Sequence, residues 1–153
     1  MDSDTATVPE LRNAGSVPAM PRKLFISLPV ADLQRSIRFF EALGFTFDPQ
    51  FTGAHGSCML VGADAYCMLV TRAFFEQQAE RPLPPPPDAP MFALAFTVES
   101  RAAVDTLVDR ALALGASPSG KTDDHGFMYQ RGFRDLDGYH WDPFWTDPAA
   151  QGG

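Results

Sequence analysis

The fold class is predicted as α+β, with one strand–helix–strand–strand–strand (βαβββ) module used twice, and three observations carry that prediction. An alternating apolar run leads into a capped amphipathic stripe that ends on glycine, once in each half of the chain. The two cap candidates, Asp32 and Ser100, lie 68 positions apart (100 minus 32), and the closing glycines, Gly44 and Gly115, lie 71 apart (115 minus 44). A proline-rich stretch, RPLPPPPDAP, stands between the halves. Near-equal offsets over that distance describe one supersecondary unit doubled, not a solenoid array.

In the first copy Leu24, Ile26, Leu28 and Val30 alternate with Phe25, Ser27 and Pro29, the period of a strand with one strongly apolar face. Asp32 then stands where a carboxylate accepts from free backbone N–H groups at a helix start. Leu33, Ile37, Phe40 and Leu43 follow at helical spacing, and Gly44 supplies the residue past the C-terminus. FTFDPQF, GSCMLVG and AYCMLVT are three β-prone runs, with GADA as a hairpin turn between the last two. RAFFEQQAE reads as a short helix. The prolines of the linker lack N–H groups and fix φ, which excludes a helix or a central strand there.

The second copy opens with Phe92, Leu94, Phe96 and Val98 on one strand face and Ala93, Ala95 and Thr97 on the other. Ser100 caps a stripe of Val104, Leu107, Val108, Ala111 and Leu114 that Gly115 closes. β-Prone pieces follow near Ser117–Lys121, Gly126–Arg134 and Tyr139–Thr146, with DLDG as the last hairpin turn. Residues 21–148 are therefore expected to form one domain: module one over 21–80, the linker over 81–90 and module two over 91–148. Residues 1–20 are polar and aperiodic, read as a disordered extension, and lack the basic and apolar regions of a signal peptide.

A chain of 153 residues can bury one proper core. Its net charge of -7 argues against nucleic acid, whose phosphates need clustered Lys and Arg, and against an anionic membrane surface. No stretch approaches the ~20 apolar residues that span a bilayer. Cys58 and Cys67 read as small buried hydrophobes in a reducing cytoplasm, not as a redox pair.

The doubled module, opened by LPVADLQRSIRFFEALGF and closed by DLDGYHWD, resembles the vicinal oxygen chelate superfamily of glyoxalase I, bleomycin-resistance proteins, fosfomycin-resistance enzymes and extradiol dioxygenases. The likeness runs from about Pro21 to Pro148. It implies that the sheet curls into a cup with helices outside, and that the cup holds a divalent metal through His, Glu or Gln, His and Glu. Carried over residue by residue, the first His position is Phe25. The second falls in the run Tyr66–Val70, which contains no carboxylate, amide or imidazole. The third is Ala93, and the last is Asp142. The resemblance thus implies a cup without the family's metal centre and no resident cofactor. A rearranged set of Asp142, His140 and His125 is the alternative.

The ligand-binding candidates are Phe25, Tyr66, Ala93, Tyr129, Arg131, His140, Asp142 and Phe144. Phe25, Tyr66 and Phe144 would stack a flat apolar ligand, while Arg131 would clamp an acid group. Candidates for proton transfer are His125, Tyr129 and Asp142. The bland alternatives are a hydrogen-bonded remnant at Asp142, a loop residue at His125 and a cross-strand Arg–Asp pair at Arg131. His140 reads as a partner of Asp142, His55 as a solvated loop residue, and Trp141, Trp145, Met59 and Met68 as core. Asp135, Asp137 and Gly138 read as turn chemistry alone.

The leading functional expectation is a cytoplasmic, homodimeric, bleomycin-resistance-like protein that captures a small organic molecule. The alternatives are a glyoxalase-type lyase or isomerase, with a degenerate metal site or metal-independent acid–base residues, and a non-catalytic dimeric interaction protein. A dioxygenase needs a two-His, one-carboxylate triad, and Phe25 and Ala93 stand at two of those positions.

Overall fold

The structure, a computed structural model, describes residues 22–86 and 88–151. The reading of residues 1–20 lies outside the described residues. Module one comprises β1 (Leu24–Val30), α1 (Leu33–Ala42), β2 (Thr46–Gly53), β3 (Gly56–Gly62) and β4 (Ala65–Thr71), followed by α2 (Arg72–Ala79). Module two comprises β5 (Ala93–Thr97), α3 (Arg101–Ala113), β6 (Ser117–Asp124), β7 (Met128–Arg134) and β8 (His140–Thr146). A short 3-10 turn, Pro148–Gln151, ends the described chain.

The two sheets have the same order, β1-β4-β3-β2 and β5-β8-β7-β6, with the first strand of each parallel to the last and the other pairings antiparallel. The fold is α+β with two tandem βαβββ modules, as the repeat predicts. Local chemistry sets the boundaries. Asp32 accepts from Arg35 N at 3.1 Å, Thr71 from Phe74 N at 3.1 Å and Ser100 from Ala103 N at 3.0 Å, each satisfying one orphan donor of a first helical turn. Gly44 and Gly115 leave their helices at φ +99° and +109°, a conformation that costs other residues steric strain.

Both modules feed a single core. Leu28, Val30 and Leu69 of the first sheet meet Phe39 and Phe40 of α1, and these rings continue into Phe133 and Trp141 of the second sheet. The Phe40 ring centre lies 5.2 Å from that of Trp141, and Phe39 lies 6.3 Å from Phe133. Val104, Val108 and Ala111 of α3 close the core from the other half. Burying a side chain of this size contributes roughly 1.5–3 kcal/mol, so the α1 rings tie the halves together. Leu114 differs from the helical-stripe expectation: it caps α3 and is exposed, because the stripe ends one turn earlier at Ala111. Cys58 and Cys67 are buried free thiols, and burial pushes Cys67 up to about 12.

The DLDG turn does more than reverse the chain, which corrects its reading as turn chemistry alone. Asp137 reaches across to module one, where its carboxylate accepts from Ala31 N at 2.8 Å and Ser36 Oγ at 3.1 Å. Asp135 is buried and accepts from Asp137 N, Tyr139 N and Trp141 Nε1, the last at 2.8 Å. Tyr139 donates its hydroxyl to Pro29 O at 2.7 Å. Desolvation pushes Asp135 up to about 6, against the pull of its three donors.

Candidate functional site

Strand parity separates a helix-facing side of each sheet from an open side. On β1, Leu28 and Val30 point into the core, whereas Phe25 lies on the opposite side and is 45% exposed. Phe25 pairs in register with Tyr66 of β4, and the two rings stack at 4.7 Å with planes 11° apart. Phe51 of β2 meets Phe25 edge-on at 6.3 Å. Lys23 Nζ stands 5.9 Å from the Tyr66 ring centre. The open side of module one is thus an accessible aromatic surface.

On module two, β5 aligns Ala93 with His140, Ala95 with Asp142 and Thr97 with Phe144, so all six share the open side. Trp141 and Pro143, on the other parity of β8, are buried. His140 and Asp142 are bonded to one another, Nε2 to Oδ1 at 2.9 Å. His140 Nδ1 pairs with the Ser119 hydroxyl from β6. With Nε2 donating to the carboxylate, Nδ1 accepts from the hydroxyl, so three polar side chains satisfy one another in a line.

Gly132 makes that line possible. A Cβ there would stand 2.5 Å from Asp142 Oδ1, 3.0 Å from Ser119 O and 3.3 Å from His140 Nε2. Sequence reasoning passed over both Ser119 and Gly132. The glycine was detectable, because a glycine inside a strand marks a close approach. Ser119 becomes visible only with the β6–β7 register, which pairs it with Gly132.

Three candidates do not converge on this side. Tyr129 and Arg131 were expected to line the cup beside His125. Instead, Tyr129 stands opposite Trp145, and Phe133 opposite Trp141, which places the odd-numbered residues of β7 on the helix side. Tyr129 donates to Asp105 Oδ1 of α3 at 2.6 Å, and Arg131 bonds Asp105 at 2.8 Å and Asp109 at 3.0 Å. The hydrogen bond from Tyr129, then that from Arg131, holds the Asp105 carboxyl below the usual carboxylate range. Arg101 lies 4.5 Å from the Tyr129 ring centre and pairs with Asp124. His125 sits in the β6–β7 turn beside Phe127, with its N–H on Met128 O. Four residue steps along β7 separate Met128 from Gly132, roughly 13 Å along the strand, so His125 does not join His140 and Asp142.

The donor set does not fit the family's divalent metal. The first and third positions carry a stacked benzyl group and a methyl group, and the Asp142 carboxylate is taken up by His140. A catalytic site of that kind needs about three protein donors with an open position. Among the described residues no three His, Cys, Asp or Glu side chains converge on one point.

A cavity of about 360 Å³ lies at the end of the open side, between the proline linker and the DLDG turn. Pro29, Arg72, Pro84, Phe92, Tyr139 and His140 are among its walls, and His140 is the residue it shares with the polar line. A smaller one of about 210 Å³ lies at the seam between β1, β4 and β5.

The sequence matches the family profile described as the Glyoxalase/Bleomycin resistance protein/Dioxygenase superfamily over residues 24–142. No curated protein matches it significantly. The chain is similar in structure to a glyoxalase-related enzyme from Fulvimarina pelagi, with TM-score 0.69 and 20% identity over 83% of this chain and 89% of the other. It is also similar to a glyoxalase/bleomycin resistance protein/dioxygenase from Nocardioides, with TM-score 0.65 and 19% identity over 96% and 97% of the two chains. A third, TnmS3 from Streptomyces sp. CB03234, described as an antibiotic binding protein, has TM-score 0.58 and 22% identity over 85% and 99%. With the profile spanning most of its length, the chain belongs to the glyoxalase/bleomycin resistance protein/dioxygenase superfamily.

Proposed function

We propose that this protein binds a small organic molecule on the open side of its sheets and does so without a divalent metal. The observation that carries the reading is the exchange of chemistry at the family's ligand positions. An accessible Phe25–Tyr66 stack and the Ala93 methyl stand where donors belong, and the surviving carboxylate is engaged with His140. Stacked rings offer a flat, apolar guest both area and a preferred orientation. That TnmS3 is an antibiotic binding protein supports the same direction for this chain. Metal analysis of the purified protein, with thermal shifts against Ni, Zn, Mn and Fe(II), tests it. Substoichiometric metal and no shift are expected. A one-to-one metal lost in Asp142→Ala would refute the reading.

The line of Ser119, His140 and Asp142 favours a second reading, a metal-independent lyase or isomerase in which His140 moves the proton and Asp142 orients its ring. Turnover of hemithioacetals that survives chelation and is lost in His140→Gln would establish it.

A further inference from the structure

We propose that the cavity between the proline linker and the β7–β8 turn binds an organic monoacid, with Arg72 holding its carboxylate and the linker covering its apolar body. The proposal goes beyond the reading above, because its anchor and walls are not the Phe25–Tyr66 surface. It starts from an account of hydrogen-bonding groups. Four polar side chains line the cavity: Arg72, Asp137, Tyr139 and His140. Tyr139 spends its hydroxyl on Pro29 O, and His140 spends both ring nitrogens on Ser119 and Asp142. Each oxygen of Asp137 already accepts one donor, from Ala31 N and Ser36 Oγ.

Arg72 is different. Its Nη2 donates to Pro84 O at 2.9 Å, and among the described residues it makes no ion pair. A guanidinium carries five N–H donors in a planar fork that matches a carboxylate, so most of its capacity is unspent. Much of the rest of the wall is proline and apolar side chain. Pro84, Pro85, Pro86 and Pro90 have no N–H, and Phe92 and Met91 add exposed apolar surface. The volume falls at the lower end of the range that small-molecule pockets occupy. An apolar body with one acid group satisfies both halves of that wall. The linker is thereby a binding element as well as a spacer.

Calorimetry with 4-phenylbutanoate, 4-phenylbutanamide and 4-phenylbutylammonium on the full chain tests the proposal. The acid is expected to bind with Kd below about 1 mM, the amide at least about tenfold more weakly and the ammonium undetectably. Added salt weakens the acid selectively. Arg72→Met is expected to abolish the preference for acid over amide, and Arg72→Lys to keep part of it, with circular dichroism confirming that both fold. The acid–amide comparison needs no variant and decides the question even if Arg72→Met unfolds. Equal binding of acid and amide, tighter binding of the ammonium, or no binding of the acid overturns the proposal. Phe25→Ala leaves acid binding unchanged, which separates this site from the aromatic surface.

Discussion

Replacing Trp141 with phenylalanine removes one hydrogen bond to a buried carboxylate, and its cost is expected to depend on pH in a defined direction. In the native fold Trp141 Nε1 donates to Asp135 Oδ2 at 2.8 Å, and both residues are buried. Burial raises Asp135 from 3.8 to about 6, so between those pH values the folded state holds a proton that the unfolded chain has released. A carboxyl with a raised folded pKa contributes stability that is fully present below the unfolded pKa and is lost as pH rises through about 6. The shift of roughly two units corresponds to ~3 kcal/mol over the whole window, of which roughly 1.4 kcal/mol is regained between about pH 7.5 and about pH 5. Asp105 and Asp124 are held below the carboxylate range by hydrogen bonds, so their contributions fade only under more acid conditions. Removing the indole donor takes away a group that favours ionised Asp135. Near pH 7.5 Trp141→Phe should therefore cost ~3–4 kcal/mol, combining a charge-assisted hydrogen bond with lost packing. Near pH 5, with the carboxyl protonated, the cost falls by about 1 kcal/mol or more. Urea unfolding of both proteins at the two pH values measures this. A cost equal at both, or larger in acid, would refute the account of Asp135.

Gly132→Ala places a Cβ against Asp142 Oδ1 and the Ser119 carbonyl, so a loss of about 1–3 kcal/mol is expected in urea, and NMR should show the His140 ring displaced. Asp137→Ala leaves Ala31 N and Ser36 Oγ without their acceptor and should cost about 1–3 kcal/mol while unfolding stays a single transition by both far-UV and Trp signals. Arg131→Met is expected to lower stability by about 1 kcal/mol or less and to leave small-molecule affinity within about twofold; a loss of affinity in calorimetry would return Arg131 to the ligand site.

Most of the architecture was legible because each element announces itself locally. Leu28 and Val30 against Phe25, the caps at Asp32 and Ser100, and the glycines at 44 and 115 all lie within a few residues of the structure they specify. Parity along β1, β5 and β8 placed Phe25, Ala93, His140, Asp142 and Phe144 on the open side. The same logic misplaced Tyr129 and Arg131. One step in the register of β7 turns every side chain over, and the pairing of Tyr129 with Trp145 is set by the hairpin as a whole. Asp137 was read as turn chemistry because the partners that give it more, Ala31 and Ser36, are over a hundred positions away. Arg72 was passed over because nothing in the residues beside it reveals that the linker folds back to make a wall.

The rings of Phe39 and Phe40 have a consequence for how such a chain can be divided. They pack on their own sheet and also on Phe133 and Trp141, so cutting at the prolines would strip an aromatic layer from both fragments at once. Neither fragment is expected to survive by itself, and mixing the two should restore the native spectrum. The two modules repeat one topology, yet each supplies part of the core that the other needs.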